Sequence, residues 1–145
     1  MSKRILVVDD EEGIRFALRS FLEGLGYEVA EAANGLEALR AIHLAPPDLV
    51  ILDVVMSPLS GWEALELLHT DASTGTIPVV LLTALGEIQH EARGWHLGCD
   101  WYQVKEKPLN FDDLALVIER LLAIDPTEAR RAWEVSLAGE EEGGL

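Results

Sequence analysis

The sequence predicts an α/β fold in which a five-stranded parallel sheet carries helices on both faces. Two observations lead there. The runs Ile5-Leu6-Val7-Val8 and Leu49-Val50-Ile51-Leu52 are wholly apolar and short, the pattern of strands covered on both sides. Strand-like and helix-like stretches also alternate along the chain with short connections, as repeated strand–helix–strand units require.

The elements follow in order. After the first strand, Ile14, Ala17, Leu18, Phe21, Leu22 and Leu25 recur at helical spacing. Glu11 and Glu12 suit the positive end of that helix, and Gly24 and Gly26 end it. A strand over 27–32 precedes Asn34-Gly35, read as a turn, and a second helix marked by Leu36, Leu39 and Ile42 stops at Pro46-Pro47. The third strand closes at Asp53, and a loop leads to a helix over 62–69. A fourth strand over 77–82 has Pro78 near its start, where a missing donor is tolerated. A helix over 87–97 ends at Gly98; a strand over 101–105 and a helix over 111–122 complete the sheet's cover. Asp125-Pro126 then opens a short extra helix over 127–137, before an acidic, fraying end at Gly139–Leu145. The reading is one domain over 1–124 with an extension over 125–145, and no internal repeat.

Asp9 and Asp10 close the first apolar run and Asp53 closes the third strand. Ligands of open parallel sheets bind just beyond the carboxyl ends of the strands. Three carboxylates are thereby delivered to one place, where their mutual repulsion calls for a cation, and hard oxygen donors suit Mg²⁺ or Mn²⁺. The four histidines show no metal-ligand spacing, and neither a Gly-rich phosphate loop nor a Ser-His-Asp arrangement is present.

The net charge is −15, from 11 Lys+Arg against 26 Asp+Glu, which argues against nucleic acid and against an anionic membrane surface as partner. A basic protein surface is the better match. No apolar run approaches the roughly 20 residues of a membrane span, and none near the N-terminus has the length of a signal-peptide core. The one cysteine, Cys99, excludes an internal disulfide and reads as a small buried residue. A cytoplasmic protein is expected.

Five stretches then stand in a telling order: Ile5-Leu-Val-Val-Asp9-Asp10-Glu11-Glu12, Asp53-Val-Val-Met56 with Gly61, Leu82-Thr83-Ala84, Gly98-Cys-Asp100 and Lys107-Pro108-Leu-Asn-Phe-Asp-Asp-Leu114. Over about 3–123 the chain resembles the receiver domain of two-component response regulators, of the chemotaxis or phosphorelay kind. The resemblance implies a flavodoxin-like sheet of strand order 2-1-3-4-5. It implies that Asp53 accepts a phosphoryl group from a sensor histidine kinase or phosphotransfer protein. Asp10 and Asp53 would bind Mg²⁺ directly, Asp9 through water, and Val55 through its backbone carbonyl. Thr83 would hydrogen-bond a phosphoryl oxygen, Ala84 would leave room for it, and a lysine after the fifth strand would pair with another. An aromatic residue in the fifth strand would repack with Thr83 as the switch.

The resemblance departs from the family pattern at two points. The proline after the acceptor is displaced, so that Ser57 precedes Pro58. The fifth strand is also out of step: counted from Gly98 the site lysine is Lys105 and the switch residue Tyr102, whereas counted back from Pro108 they are Lys107 and Val104. Taking Lys107 would put Lys105 and Glu106 at inward-facing strand positions, and burying charge is costly. Taking Lys105 moves the extra residues to a loop, at about 0.6 kcal/mol per doubling of loop length. Lys105 is favoured on that cost and Lys107 is the alternate.

The resemblance further implies a switch that signals to an unknown downstream protein through the helix over 87–97, the fifth strand and the helix over 111–122, a face also open to dimerisation. The stretch after that last helix is too short for a DNA-binding module. The chain would not be an enzyme, with slow self-dephosphorylation at most, because aliphatic Val55 and Leu85 stand where a water would be oriented. One alternative is a phosphorylation-independent interaction module of the same fold. An aspartyl-phosphate hydrolase ranks last, since Val55 holds the place of its second acid.

Overall fold

A computed structural model describes residues 2–54, 59–83, 99–104 and 110–123, with 83, 103 and 104 as backbone only. The elements are β1 (Arg4–Val8), α1 (Glu12–Gly24), β2 (Glu28–Ala32), α2 (Gly35–Leu44), β3 (Leu49–Asp53), α3 (Gly61–Thr70), β4 (Val79–Thr83), β5 (Trp101–Val104) and α4 (Phe111–Ala123). The helices expected over 87–97 and 127–137 lie outside the described residues.

All five strands are parallel, in the order β2-β1-β3-β4-β5. Period-2 alternation sorts the apolar runs into two cores. Ile5, Val7, Leu49, Ile51, Val80 and Leu82 pack with Leu18 and Leu22 of α1 and Leu114 and Ile118 of α4. Leu6, Val8, Val50, Leu52, Val79 and Leu81 pack with Ala38 and Ile42 of α2 and with Ala64, Leu65 and Leu68 of α3. Every residue of β3 is buried, as a two-sided central strand should be. At ~1.5–3 kcal/mol for each buried aliphatic side chain, these two layers are the main favourable term.

Helix ends match their chemistry. Beyond α1, Gly26 has φ +96, and the Gly26 and Tyr27 amides donate to the Glu23 and Leu22 carbonyls, closing the helix as a Schellman motif. Asn34-Gly35 departs from the sequence expectation: it opens α2, with Asn34 Oδ1 accepting from the Glu37 amide at 2.9 Å. Turn formers and helix caps share the same residues because both use a short side chain to satisfy a backbone N–H. Ser60 caps α3 through the Glu63 amide, and Asn110 serves the Asp113 amide of α4 in the same way. Pairing of β4 starts later than expected, at Val79, although the Pro78 carbonyl still accepts from the Val50 amide.

The chain steps from β1 out to β2 on one side, then crosses back past β1 to β3 on the other. This reversal leaves a crevice beyond the carboxyl ends of β1 and β3.

Candidate functional site

That crevice holds the acids. Asp9, Asp10 and Asp53 each offer a carboxylate oxygen within 4.8 Å of the others, the one such group of metal-ligating side chains among the described residues. Asp9 and Asp53 are buried, at 0% and 3% exposure, while Asp10 opens to solvent. The register explains the convergence. Val8 pairs with Leu52, so the residues that end β1 and β3 leave the sheet side by side.

Each acid is held differently. The Asp9 amide donates to the Ala32 carbonyl at 3.2 Å, and its Oδ1 accepts from the Glu11 amide at 2.9 Å. Its own carbonyl accepts from Arg15 Nη1 at 2.6 Å. Asp53 is fixed by backbone and by close approach. The Val54 amide donates to the Leu82 carbonyl, and the Gly61 amide, at the start of α3, donates to the Val54 carbonyl. A Cβ on Gly61 would come within 2.1 Å of the Asp53 carbonyl oxygen and 2.7 Å of Val54 Cα. Only glycine lets α3 begin against the residue that carries the central acid.

Unit charges about 4 Å apart repel by ~4 kcal/mol at an effective dielectric of about 20, so this arrangement favours a bound cation. Three oxygen donors, two of them buried and one reachable from water, fit Mg²⁺, which keeps several of its waters, and fit Mn²⁺ as well.

Other residues singled out from the sequence distribute as follows. Thr83 ends β4 one residue beyond Leu82, the register partner of Asp53, and pairs with Val104. Tyr102 is buried, pairs with Leu81 and belongs to the core under α2 and α3. Val55, Ala84, Leu85, Lys105 and Lys107 lie outside the described residues. Cys99 is buried, as expected of a small core residue. Asp100 sits at the other end of the sheet. Its Oδ2 accepts from the Val79 amide at 2.7 Å and its own amide donates to the Val79 carbonyl at 2.8 Å, pinning edge strand β5 to β4. The role of Arg15 was missed in the sequence, since a helix-face arginine gives no sign of turning back to a main-chain carbonyl.

Comparison with known proteins agrees with this geometry. The family model of the response regulator receiver domain matches residues 5–119. A probable transcriptional regulator, ycf27, of Cyanophora paradoxa is 43% identical over 120 residues, which are 83% of this chain and 48% of that protein. Response regulator Rre1 of Synechocystis is 38% identical over 120 residues, 82% of this chain and 51% of that one. The chain thus spans about half the length of these curated relatives. The crystal structure of a putative response regulator from Chloroflexus aurantiacus superimposes with a TM-score of 0.81 at 32% identity, covering 86% of this chain and all of that one. The strand order, the paired acid turns and a match running from β1 into α4 have one explanation: this chain belongs to the response regulator receiver domain family.

Proposed function

We propose that the chain is a phosphorylation switch whose acceptor is Asp53. The observation that carries this reading is the meeting of Asp9, Asp10 and Asp53 within 4.8 Å, with the acceptor nearly buried. The donor is a phosphohistidine of a sensor histidine kinase or phosphotransfer protein. A carboxylate oxygen of Asp53 attacks phosphorus, the P–N bond breaks, and the imidazole leaves with the electron pair, giving an acyl phosphate. Mg²⁺ (or Mn²⁺), held by Asp10, Asp53 and the Val55 carbonyl and by Asp9 through water, would screen the charge between carboxylate and phosphoryl oxygens. Thr83 and Lys105, with Lys107 as alternate, receive the phosphoryl oxygens. Support for Lys105 is that Val104, the residue before it in the chain, pairs with Thr83.

Among the described residues no helix is long and apolar enough to cross a membrane. A cytoplasmic location is part of the proposal and is supported by the family match. The receiver spans 1–124 and 125–145 is an extension. Readout runs through Thr83 and Tyr102 to an unknown protein partner or a second copy. The face that would receive it includes half-exposed Trp101 and Leu116, flanking a groove with Val117 and Leu121. Relatives such as ycf27 of Cyanophora paradoxa are named as transcriptional regulators, but nucleic acid is not proposed as a ligand of this acidic stretch. Slow self-dephosphorylation is the most catalysis proposed.

The test is incubation with a small phosphodonor and Mg²⁺. One phosphoryl group, acid-stable and labile to hydroxylamine, should appear by mass and be absent in Asp53→Asn. Incorporation by Asp53→Asn at the wild-type rate would sink the assignment. Wild-type protein that takes up no phosphate yet still binds a partner would favour the phosphorylation-independent module.

A further inference from the structure

Arg15 stands on α1, where an arginine ordinarily points to water or to an acid one turn away. Its guanidinium instead spans two elements. Nη1 reaches the Asp9 carbonyl at 2.6 Å and Nε lies 3.4 Å from Glu31 of β2. Only 16% of the side chain is exposed. Glu31 also accepts from Arg19 at 2.7 Å, and Arg19 pairs with Glu23. A chain of charges therefore runs from the outer face of α1 through Glu31 to the main chain of the acid turn. The N-cap of α1, Glu11, makes no side-chain capping bond, so this helix start lacks the device used at α2 and α3.

We propose that Arg15, oriented by Glu31, is a positioning residue that holds the Asp9-Asp10 turn in the geometry that binds a divalent cation. The proposal rests on the reading of these acids as the cation site and adds to it the groups that set their positions. Among the described residues three contacts anchor Asp9: its amide by Ala32, its Oδ1 by the Glu11 amide, and its carbonyl by Arg15. Of these only the third comes from a side chain. Arginine suits the task because its planar fork can serve a carbonyl and a carboxylate at once, and its charge sits beside a turn that otherwise carries only acids. Groups that fix metal ligands from behind matter strongly: their loss typically weakens binding by about 10-fold or more.

The experiment titrates Mn²⁺ by electron paramagnetic resonance into wild type, Arg15→Gln, Arg15→Lys, Glu31→Gln and Arg19→Gln. Exchange of the Glu11 amide is followed by NMR in cation-free buffer. Arg15→Gln should bind Mn²⁺ about 10-fold more weakly, Glu31→Gln less so, and Arg15→Lys should recover part of the loss. Arg19→Gln, in the same charge chain but without contact to Asp9, should stay within about twofold, a level set by the control's lack of any ligand-holding contact. Glu11 amide exchange should quicken in Arg15→Gln. Lower stability with unchanged Mn²⁺ affinity in both Arg15→Gln and Glu31→Gln would overturn the proposal and leave a plain tie between α1 and β2. If Arg15→Gln does not fold, Glu31→Gln and Arg15→Lys decide by the same affinities. Wild type that binds no Mn²⁺, or Asp53→Asn that binds it equally well, would refute the cation site itself. Glu11 exchange unaltered by Arg15→Gln would then overturn the anchoring role separately.

Discussion

The turn after β1 and the turn after β3 both present buried carboxylates to one crevice, yet they are fixed by different means. Asp9 is held by hydrogen bonds, with the N-cap Glu11 and Arg15 of α1 supplying donors. Asp53 is held by proximity: α3 begins so close to it that Gly61 has no space for a Cβ. Helix capping is distributed the other way. Ser60 and Glu63 cap α3 as a reciprocal pair, whereas α1 has no side-chain cap. On the function proposed above, the site thus has one wall where hydrogen bonds from α1 hold the acid and another where close backbone approach fixes the strand that carries it.

The sharpest way to break this comparison is to add one methyl group to each wall. Gly61→Ala should destabilise the protein by about 3 kcal/mol, because the new Cβ meets backbone atoms of Asp53 and Val54, and should weaken Mg²⁺ binding with it. Gly13→Ala on α1 meets nothing within 4 Å and should instead stabilise by about 0.5 kcal/mol through helix propensity. Urea unfolding of both variants reads the difference. A Gly61→Ala protein as stable as wild type would remove the argument from close approach.

Charge gives the next largest effect. Asp9→Asn removes one of three crowded carboxylates while keeping an amide oxygen to accept from Glu11. Without divalent cations it should raise stability by about 1 kcal/mol, since the repulsion is relieved, and millimolar Mg²⁺ should then add less than it adds to wild type. Melting temperatures with EDTA and across a Mg²⁺ titration test both halves. An Asp9→Asn protein less stable than wild type in EDTA would show that the carboxylate's hydrogen bonding outweighs its repulsion.

The smallest effect lies at the far ends of α2 and α3 and serves as a control. The His43 Nδ1–H donates to the Leu39 carbonyl, which raises its pKa above the ordinary 6.5, with Asp71 contributing further. Its contribution is full below pH 6.5 and is lost as pH rises through the raised folded-state value. Asp71, lowered chiefly by the Ser73 amide, contributes above its ordinary 3.8 and loses that only as pH falls through its lower folded value. Both groups are exposed, so the ion pair is weak. His43→Gln should slightly reduce stability in mildly acidic buffer, leave it unchanged in mildly alkaline buffer, and leave Mg²⁺ binding alone at both. Urea midpoints at the two pH values measure it, and a Mg²⁺ affinity that changes with this variant would mean the two ends of the sheet are coupled.

Much of this protein was settled by local patterns. The unbroken apolar runs required strands covered on both faces, and β1, β3 and β4 are buried on both. Acids directly after two of those strands, in a parallel sheet, had to arrive together at its carboxyl end, because the pleat and the shared strand direction leave no other outcome. The end of α1 was equally plain, since Gly24 and Gly26 provide the flexibility and left-handed turn a helix needs to stop. Tertiary structure decided what depends on contacts between distant residues. Asn34-Gly35 has the same composition as a free turn and became a cap only because α2 packs there. Gly61 reads as part of a motif without a physical role until α3 meets Asp53, and Arg15 looks like a solvated helix residue until β2 brings Glu31 beside it. Asp100 reads as part of a motif, but its carboxylate works at the opposite end of the sheet, on Val79. Residue type and spacing determine which groups can reach a site; the separation between elements, set by packing, determines which of them hold it in shape.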